Sequence, residues 1–286
     1  MFMMNKVTVR VPASVSNLGP GFDCLGVALR LYNFVTATRA TRRTALPRIL
    51  DEAATVFFTE SGARPFGFSL SVRENVPRAR GLGSSATVRL GLLHALNRLS
   101  GDPLDRDDLF RICAQLEGHP DNAAPASFGG FTVARPDMVQ RFDVSSRLKF
   151  VVVIPDHEIK TTPARKILPN RIARVNAVKS SGDACAITAA FVSQNYHMLE
   201  GRFRDEFHQP FRSKLIPYLP RVINAAERAG ALGAFLSGSG SSIAAVALKS
   251  PQAIARAMRK AVGKIASRTV VLLADNHGVD ITQHKL

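Results

Sequence analysis

Cysteine is scarce in this chain, and its scarcity excludes two classes of protein. Cys24, Cys113 and Cys185 are odd in number, far apart and without a C-x-x-C pair, so neither a disulfide framework nor a zinc site is expected, and a reduced, cytoplasmic protein is. Long apolar runs are also missing. No stretch approaches the ~20 residues that span a bilayer. The start, Met1 to Val7, passes directly into a strand pattern with no secretory h-region. No membrane partner is therefore expected. A Walker-type G-x-x-x-x-G-K-[ST] is absent, since Gly263-Lys264 is followed by Ile265. Acidic residues are few: 22 Asp and Glu against 38 Lys and Arg leave a net charge of +16. Such an excess can mark nucleic-acid binding, but here the basic residues are spread along the chain without interleaved aromatics. Arg256, Arg259, Lys260 and Lys264, at helical spacing after Ser250-Pro251, read as a solvated helix face. A basic surface equally suits an enzyme with anionic ligands, and no nucleic-acid partner is expected.

What is present is ordinary globular composition, 46% apolar and 21% charged over 286 residues, enough for two modest domains or one large one. Val7, Val9 and Val11 alternate with polar residues as a first strand. A turn rich in glycine and proline follows from Asn17 to Asp23, then a strand-rich stretch from Leu25 to Thr38, a basic connection from Arg39 to Leu46 and a short helix from Ile49 to Phe58. A helix beginning near Asp107 or Asp108, with Leu109, Ile112, Cys113 and Leu116 on one face, carries Glu117 to its C-terminal end before Gly118. Phe150 to Ile154, an apolar run ended by Pro155, has the pattern of a fully buried strand. The domain boundary is placed just before it, giving domains 1–145 and 146–286. Beyond it we expect helices around 183–199, 220–229 and 251–262, and strands at 234–236, 243–248 and 270–274. This mixture predicts an α+β fold.

The most informative stretch is Val76-Pro77-Arg78-Ala79-Arg80-Gly81-Leu82-Gly83-Ser84-Ser85-Ala86-Thr87. Phe66, Phe68, Leu70 and Val72 alternate ahead of it, and Val88, Leu92, Ala95, Leu96 and Leu99 fall on one helical face after it. A glycine- and serine-rich loop at the start of a helix can turn backbone N–H groups onto an anion, with the helix dipole in support. Three readings compete: a tight turn capped by Ser84, a dinucleotide fingerprint, or a phosphate loop of a kinase that is not of the Walker type. The fingerprint fits poorly, because the acidic residues ~20 positions on, Asp102 and Asp105, follow Gly101 in a turn and not the end of a second strand.

Other stretches decide among them. Pro12 to Asp23, the Gly81-Leu82-Gly83-Ser84-Ser85 loop and Gly233 to Gly240 resemble, in order, the three signature motifs of the GHMP kinase superfamily. Asn17-Leu18-Gly19-Pro20-Gly21-Phe22-Asp23, Glu117-Gly118-His119-Pro120-Asp121-Asn122, Thr161 to Arg165 and Phe207 to Arg212 narrow the resemblance to the homoserine kinases. It covers essentially the whole chain. It implies an N-terminal domain like ribosomal protein S5 domain 2, a ferredoxin-like C-terminal domain and an active site between them. The activity implied is ATP- and Mg²⁺-dependent phosphorylation of L-homoserine in threonine biosynthesis, with a homodimer as a possible assembly. The alternatives are another small-molecule kinase of the superfamily and a catalytically silent, kinase-like ligand sensor.

The residues suit that chemistry, in which positioning and charge neutralisation matter most. Residues 77–86 would cradle ATP, and Glu117 with Ser84 or Ser85 supplies the hard oxygens magnesium prefers. A carboxylate at a helix C-terminus opposes the dipole, which favours a functional Glu117 over a surface one. By resemblance, Asn17, Asp23, His119, Asp121, Arg165, Arg212, Gly238 and Gly240 form the substrate site. Asp23 is suited to an ammonium, and Arg165 and Arg212 to a carboxylate. Asn122 stands where several relatives carry a catalytic Asp, so it is expected to orient or polarise and not to deprotonate. Two departures stand out: Ser241 replaces the usual proline of the second glycine loop, which predicts a looser loop, and Arg48-Ile49 replace an Asn-Leu pair that helps hold adenine.

Overall fold

The structure, a computed structural model, describes residues 5–42 and 44–282. Residues 1–4 of the expected leaderless start and Arg43 of the basic connection lie outside it. Strands β1 (Lys6–Ser16) and β2 (Leu25–Arg39) pair antiparallel from Lys6 opposite Thr38 to Ser16 opposite Gly26. The register shifts between Pro12 and Ala13, where proline has no N–H for the ladder. Helix α1 (Arg48–Ser61) leads to β3 (Phe68–Arg73), which also pairs with β2. Helices α2 (Ser84–Leu99), α3 (Arg106–Glu117) and α4 (Ala123–Phe128) follow, then β4 (Phe131–Arg135) and β5 (Met138–Phe142). The second half runs β6 (Lys149–Pro155), α5 (Thr161–Lys166), α6 (Arg174–Val192), α7 (Gln209–Arg212), α8 (Leu219–Arg228), β7 (Gly233–Leu236), β8 (Ile243–Ala247), α9 (Pro251–Val262) and β9 (Ser267–Leu272). A short β10 (Asp280–Thr282) returns to pair with β1.

Two antiparallel sheets result. The first has the order β10-β1-β2-β4-β5 with β3 beside β2, and the second the order β7-β8-β6-β9. The βαββαβ succession of the second, with β6 and β8 central, is the ferredoxin-like arrangement. The fold is α+β with mixed helices and antiparallel sheets, as the sequence predicts.

Three cores hold these layers. Val7, Val9 and Val11 of β1 pack with Leu50 and Phe57 of α1, Leu92 and Leu96 of α2, and Leu109 and Cys113 of α3. Further along the same strands, Ala13, Val15, Val27 and Leu29 join Phe150 and Val152 of β6 and Phe191 of α6. Phe131 stacks on Phe191 at 4.3 Å between centroids, so the second core lies between the sheets. Val151 and Val153 turn the other way, against α8 and α9. β6 is thus buried on both faces, which explains its uninterrupted apolar run.

Some boundaries differ from expectation for identifiable reasons. α3 starts at Arg106 because Asp105 caps it: Asp105 Oδ1 accepts from Asp108 N–H at 2.8 Å, and Asp108 answers to the Asp105 N–H. α6 begins at Arg174 and ends at Val192. No side chain caps its Ala173 start, so the sequence carried no start signal, and residues 196–199 form a separate 3₁₀ turn. α2 is not amphipathic. Between β1 and β2 on one side and α1, α3 and α4 on the others, it buries Arg89, His94 and Asn97 together with its leucines.

Candidate active site

The phosphate-loop candidate begins with backbone geometry. Gly83 is the N-cap of α2 in the left-handed region (φ 70°), and no side chain caps the helix. The capped turn is therefore not what forms. The first-turn N–H groups of α2 have no side-chain acceptor, the condition for receiving an anion. Gly81 (φ 72°) has no room for a side chain, since a Cβ would stand 2.0 Å from the Ser237 carbonyl oxygen. That contact is part of a seam between the two glycine loops. Ser237 Oγ donates to the Gly81 carbonyl at 2.6 Å and Ser242 N–H to Arg80 O at 3.1 Å, while Gly238 N–H ties the second loop to the end of β1 at Ser16 O, 3.3 Å away. Gly81→Ala combines left-handed strain with a backbone clash, so urea unfolding should show a loss of at least ~2 kcal/mol. The substitution should also open the seam and depress activity.

Ser241 restrains the second loop differently from proline. Its hydroxyl donates to the His157 carbonyl and meets the Tyr218 hydroxyl, whose pKa burial pushes up to about 12. These bonds counter the loosening expected from the missing proline.

A cavity of about 600 Å³ opens between the loops and the helices. Arg78, Ala79, Arg80, Gly81, Gly83, Ser84 and Ser85 line it, with Glu117 and Asn122. Pro77, Leu82 and Ala86 do not; Leu82 and Ala86 are core residues. Arg78 is paired with Glu74, and Arg80 is committed to the end of β6, donating to Pro155 O at 3.0 Å and to Asp156 at 2.8 Å. Ser85 Oγ donates to Glu117 Oε2 at 2.7 Å, so a hydroxyl and a carboxylate from different helices meet on the cavity wall. With the neighbouring Ser84, this hard-oxygen set fits magnesium.

The expected substrate residues converge on the same cavity. Asn17, Asp23, His119, Asp121, Arg165, Arg212 and Gly238 line it, whereas Gly240 packs behind the loop, its Cβ position 2.6 Å from Ile216. Asn17 Oδ1 accepts from Asp23 N–H at 3.0 Å, and its Nδ2 donates to Gly238 O at 3.3 Å. Asp23 and Arg165 bind each other bidentately at 2.6 and 3.0 Å, both partly exposed. Arg212 is 2% exposed, donating to Ala164 O at 3.2 Å and Gly238 O at 2.9 Å. Burial, then repulsion from Arg165, lowers its pKa to about 10. Both guanidiniums stand 5.5 Å from the centre of the Phe22 ring.

Two histidines support this array. Burial works against a charged His119, but the hydrogen bond and charge of Asp121 outweigh it and raise its pKa; Nδ1 lies 2.7 Å from Asp121 Oδ1. Burial likewise disfavours ionised Asp121, yet bonds from His119 and Ser16 and the Arg165 charge bring its pKa below the ordinary value. His208, four residues before Arg212, is lowered to about 4, chiefly by burial. It is therefore neutral, accepting at Nδ1 from Arg212 Nη1 (3.2 Å) and donating from Nε2 to Gly19 O (3.0 Å). Phe22 and His208 were not among the expected site residues, though the i, i+4 spacing of His208 and Arg212 was a usable signal.

Asn122 is fully engaged through its amide nitrogen. Nδ2 donates to Ser16 Oγ at 3.0 Å and Asp121 at 3.2 Å, and Oδ1 accepts from Ser14 Oγ at 2.8 Å. The sequence reading also left unassigned an apolar group on the cavity wall, Leu46, Pro47, Ile49, Leu70, Val72 and Val88. These come from a loop, two helices and a strand, so no motif announces them. Among the described residues, no helix is long and apolar enough to cross a membrane.

Comparison with known proteins identifies the family. Residues 48–130 match the family described as GHMP kinases N terminal domain, and residues 189–264 that described as GHMP kinases C terminal. Homoserine kinase of Caldicellulosiruptor bescii is 38% identical over 296 residues, covering 96% of each chain. The crystal structure of homoserine kinase from Cytophaga hutchinsonii superposes with a TM-score of 0.90 at 29% identity, covering 99% of both chains. The mevalonate kinase of Methanococcus jannaschii, at 15% identity and a TM-score of 0.70 over 93% of this chain and 98% of its own, shares the fold. The chain belongs to the homoserine kinase family of GHMP kinases, phosphotransferases that take ATP as substrate and act on a hydroxyl group.

Proposed function

We propose that the chain transfers the γ-phosphoryl group of ATP to the side-chain hydroxyl of L-homoserine, giving O-phospho-L-homoserine for threonine synthesis in the cytoplasm. The observation that carries this reading is the pairing of Asp23 with Arg165 beside buried Arg212, around Phe22, in the cavity that Ser84, Ser85 and Glu117 also line. A zwitterion can replace the Asp23–Arg165 pair with two new ones, ammonium on Asp23 and carboxylate on the two arginines. That exchange costs little, because a partly exposed ion pair is worth only ~0–1 kcal/mol. Mevalonate has no ammonium, and Asp23 would be left without a partner.

The nucleotide phosphates belong at the open N-terminus of α2, and the adenine against the apolar wall of Leu46, Pro47, Ile49, Leu70 and Val72, which stands in for the missing Asn-Leu pair. Ser85 and Glu117, with Ser84, would hold Mg²⁺, which supplies charge neutralisation on the transferring phosphate. Asn122 is an amide and cannot accept a proton. Its bonds to Ser16 and Asp121 fix the floor of the site. Asp121, held ionised by His119, is a weak base with a positioning role. The hydroxyl proton therefore passes to the γ-phosphate or a water during in-line attack. The three cysteines, all free thiols, fit a reducing compartment.

A coupled ADP-release assay over several alcohols tests the assignment. Turnover is expected with L-homoserine and little with mevalonate, galactose or shikimate. Equal turnover of mevalonate would assign the chain to another substrate of the superfamily, and no turnover at all to a ligand sensor.

A further inference from the structure

One buried charge has no part in the reading above. Arg89, one turn after Ser85 on the same face of α2, is 7% exposed and does not line the cavity. Its Nη1 donates to Glu117 Oε1, while Ser85 Oγ donates to Oε2 at 2.7 Å. The carboxylate is thus gripped from the cavity side by a hydroxyl and from behind by a guanidinium. Both charged side chains are more than nine-tenths buried. Arg89 Nε has no hydrogen-bond partner, and an unpaired buried donor is costly, so the guanidinium depends on Glu117 as its counter-charge. The other group facing the pair is Cys113, wholly buried, its thiol pushed far above the ordinary range by that burial and then by Glu117. Arg89 is therefore the only cation beside Glu117 that the described contacts supply.

We propose that Arg89 is a positioning residue that aims Glu117 and sets how tightly that carboxylate binds a divalent cation. This rests on the reading of Glu117 as a metal-facing group. Without metal, the guanidinium is the counter-charge of a carboxylate that is more than nine-tenths buried. With metal, the same fixed positive charge stands behind the carboxylate that would receive the ion and opposes its binding. Both effects act in one direction: Arg89 stabilises the metal-free state and lowers metal affinity. Binding of the divalent ion then depends on the nucleotide phosphates, whose negative charge overcomes the opposition. An arginine that only filled space or braced α3 would have no such effect on metal affinity.

Mn²⁺, read by electron paramagnetic resonance, is the probe, titrated into protein saturated with a non-hydrolysable ATP analogue. Melting of the metal-free protein is followed in parallel. Arg89→Met should bind Mn²⁺ roughly ten-fold more tightly than wild type. Its metal-free Tm should fall by roughly 5–15 °C and recover when Glu117→Gln is added, because the uncompensated charge is then gone. Arg89→Lys should remain close to wild type in affinity. Arg89→Gln, which keeps a donor without the charge, carries the same expectation as Arg89→Met should the latter not fold. Unchanged or weaker Mn²⁺ binding in the neutral variants, or a double variant no more stable than Arg89→Met, would overturn the proposal. If the wild-type complex holds Mn²⁺ no better than the analogue alone, the metal-facing reading of Glu117 fails, and this inference with it.

Discussion

Glu117→Ala is expected to lower kcat by about 10²–10³-fold while moving the KM for homoserine by less than about three-fold. The carboxylate lies on the cavity wall, bonded to Ser85 and backed by Arg89, and makes no hydrogen bond to Asn17, Asp23, Arg165 or Arg212. In the proposed metal-holding role it would meet charge that changes most between ground and transition state, so its loss should fall on kcat. Alanine also strands Arg89 in the interior, at a cost of about 3–5 kcal/mol. Rates must therefore be taken well below the lowered melting temperature, and Glu117→Gln gives a second variant that keeps an acceptor for Ser85 and Arg89. If both variants retain near-normal kcat in the folded state, Glu117 is a brace between α2 and α3, and the magnesium site lies elsewhere.

The sequence disclosed most where function is local. The loop of residues 76–87 could be read as an anion cradle because glycines, serines and the helix start are contiguous, and the helix does begin there, at a left-handed Gly83 with no side-chain cap. β6 could be read because burial on both faces leaves an uninterrupted apolar run. What could not be read depends on contacts between distant segments. Nothing local says that Arg165 would take Asp23 as its partner, and on spacing alone each looks like a surface charge. The apolar wall of Leu46, Ile49 and Val72 is assembled from a loop, a helix and a strand. Arg89 sits on a helix expected to show one apolar face, but α2 is enclosed on every side, so periodicity could not distinguish a buried arginine from an exposed one. The β10 pairing rests on three residues that follow a loop. Secondary structure and motifs were therefore legible, and the polar wiring of the site was not.

That wiring makes the two arginines unequal, although the resemblance gives them one role. Arg165→Ala should cost about 10- to 150-fold in kcat/KM for homoserine, the worth of a charge-assisted hydrogen bond. It should barely affect stability, because the pair it leaves is partly exposed. Arg212→Ala should cost at least as much in kcat/KM and destabilise the fold as well. It removes donors from the Ala164 and Gly238 carbonyls and from His208 Nδ1 inside the protein, loosening α5, α7 and the second glycine loop together. The KM for ATP should stay nearly constant in Arg165→Ala. Because both arginines would address one carboxylate, the losses in the double variant should not add. Homoserinol, which lacks the carboxylate, separates recognition from structure. It should be a poor substrate for the wild type and lose little more with Arg165→Ala, while Arg212→Ala still lowers its turnover through the loosened loop. Equal turnover of homoserinol and homoserine by the wild-type enzyme would show that neither arginine grips a carboxylate. The Asp23–Arg165 pair would then be a fixed strut between the two halves of the chain, and the substrate an alcohol recognised by other groups in the cavity.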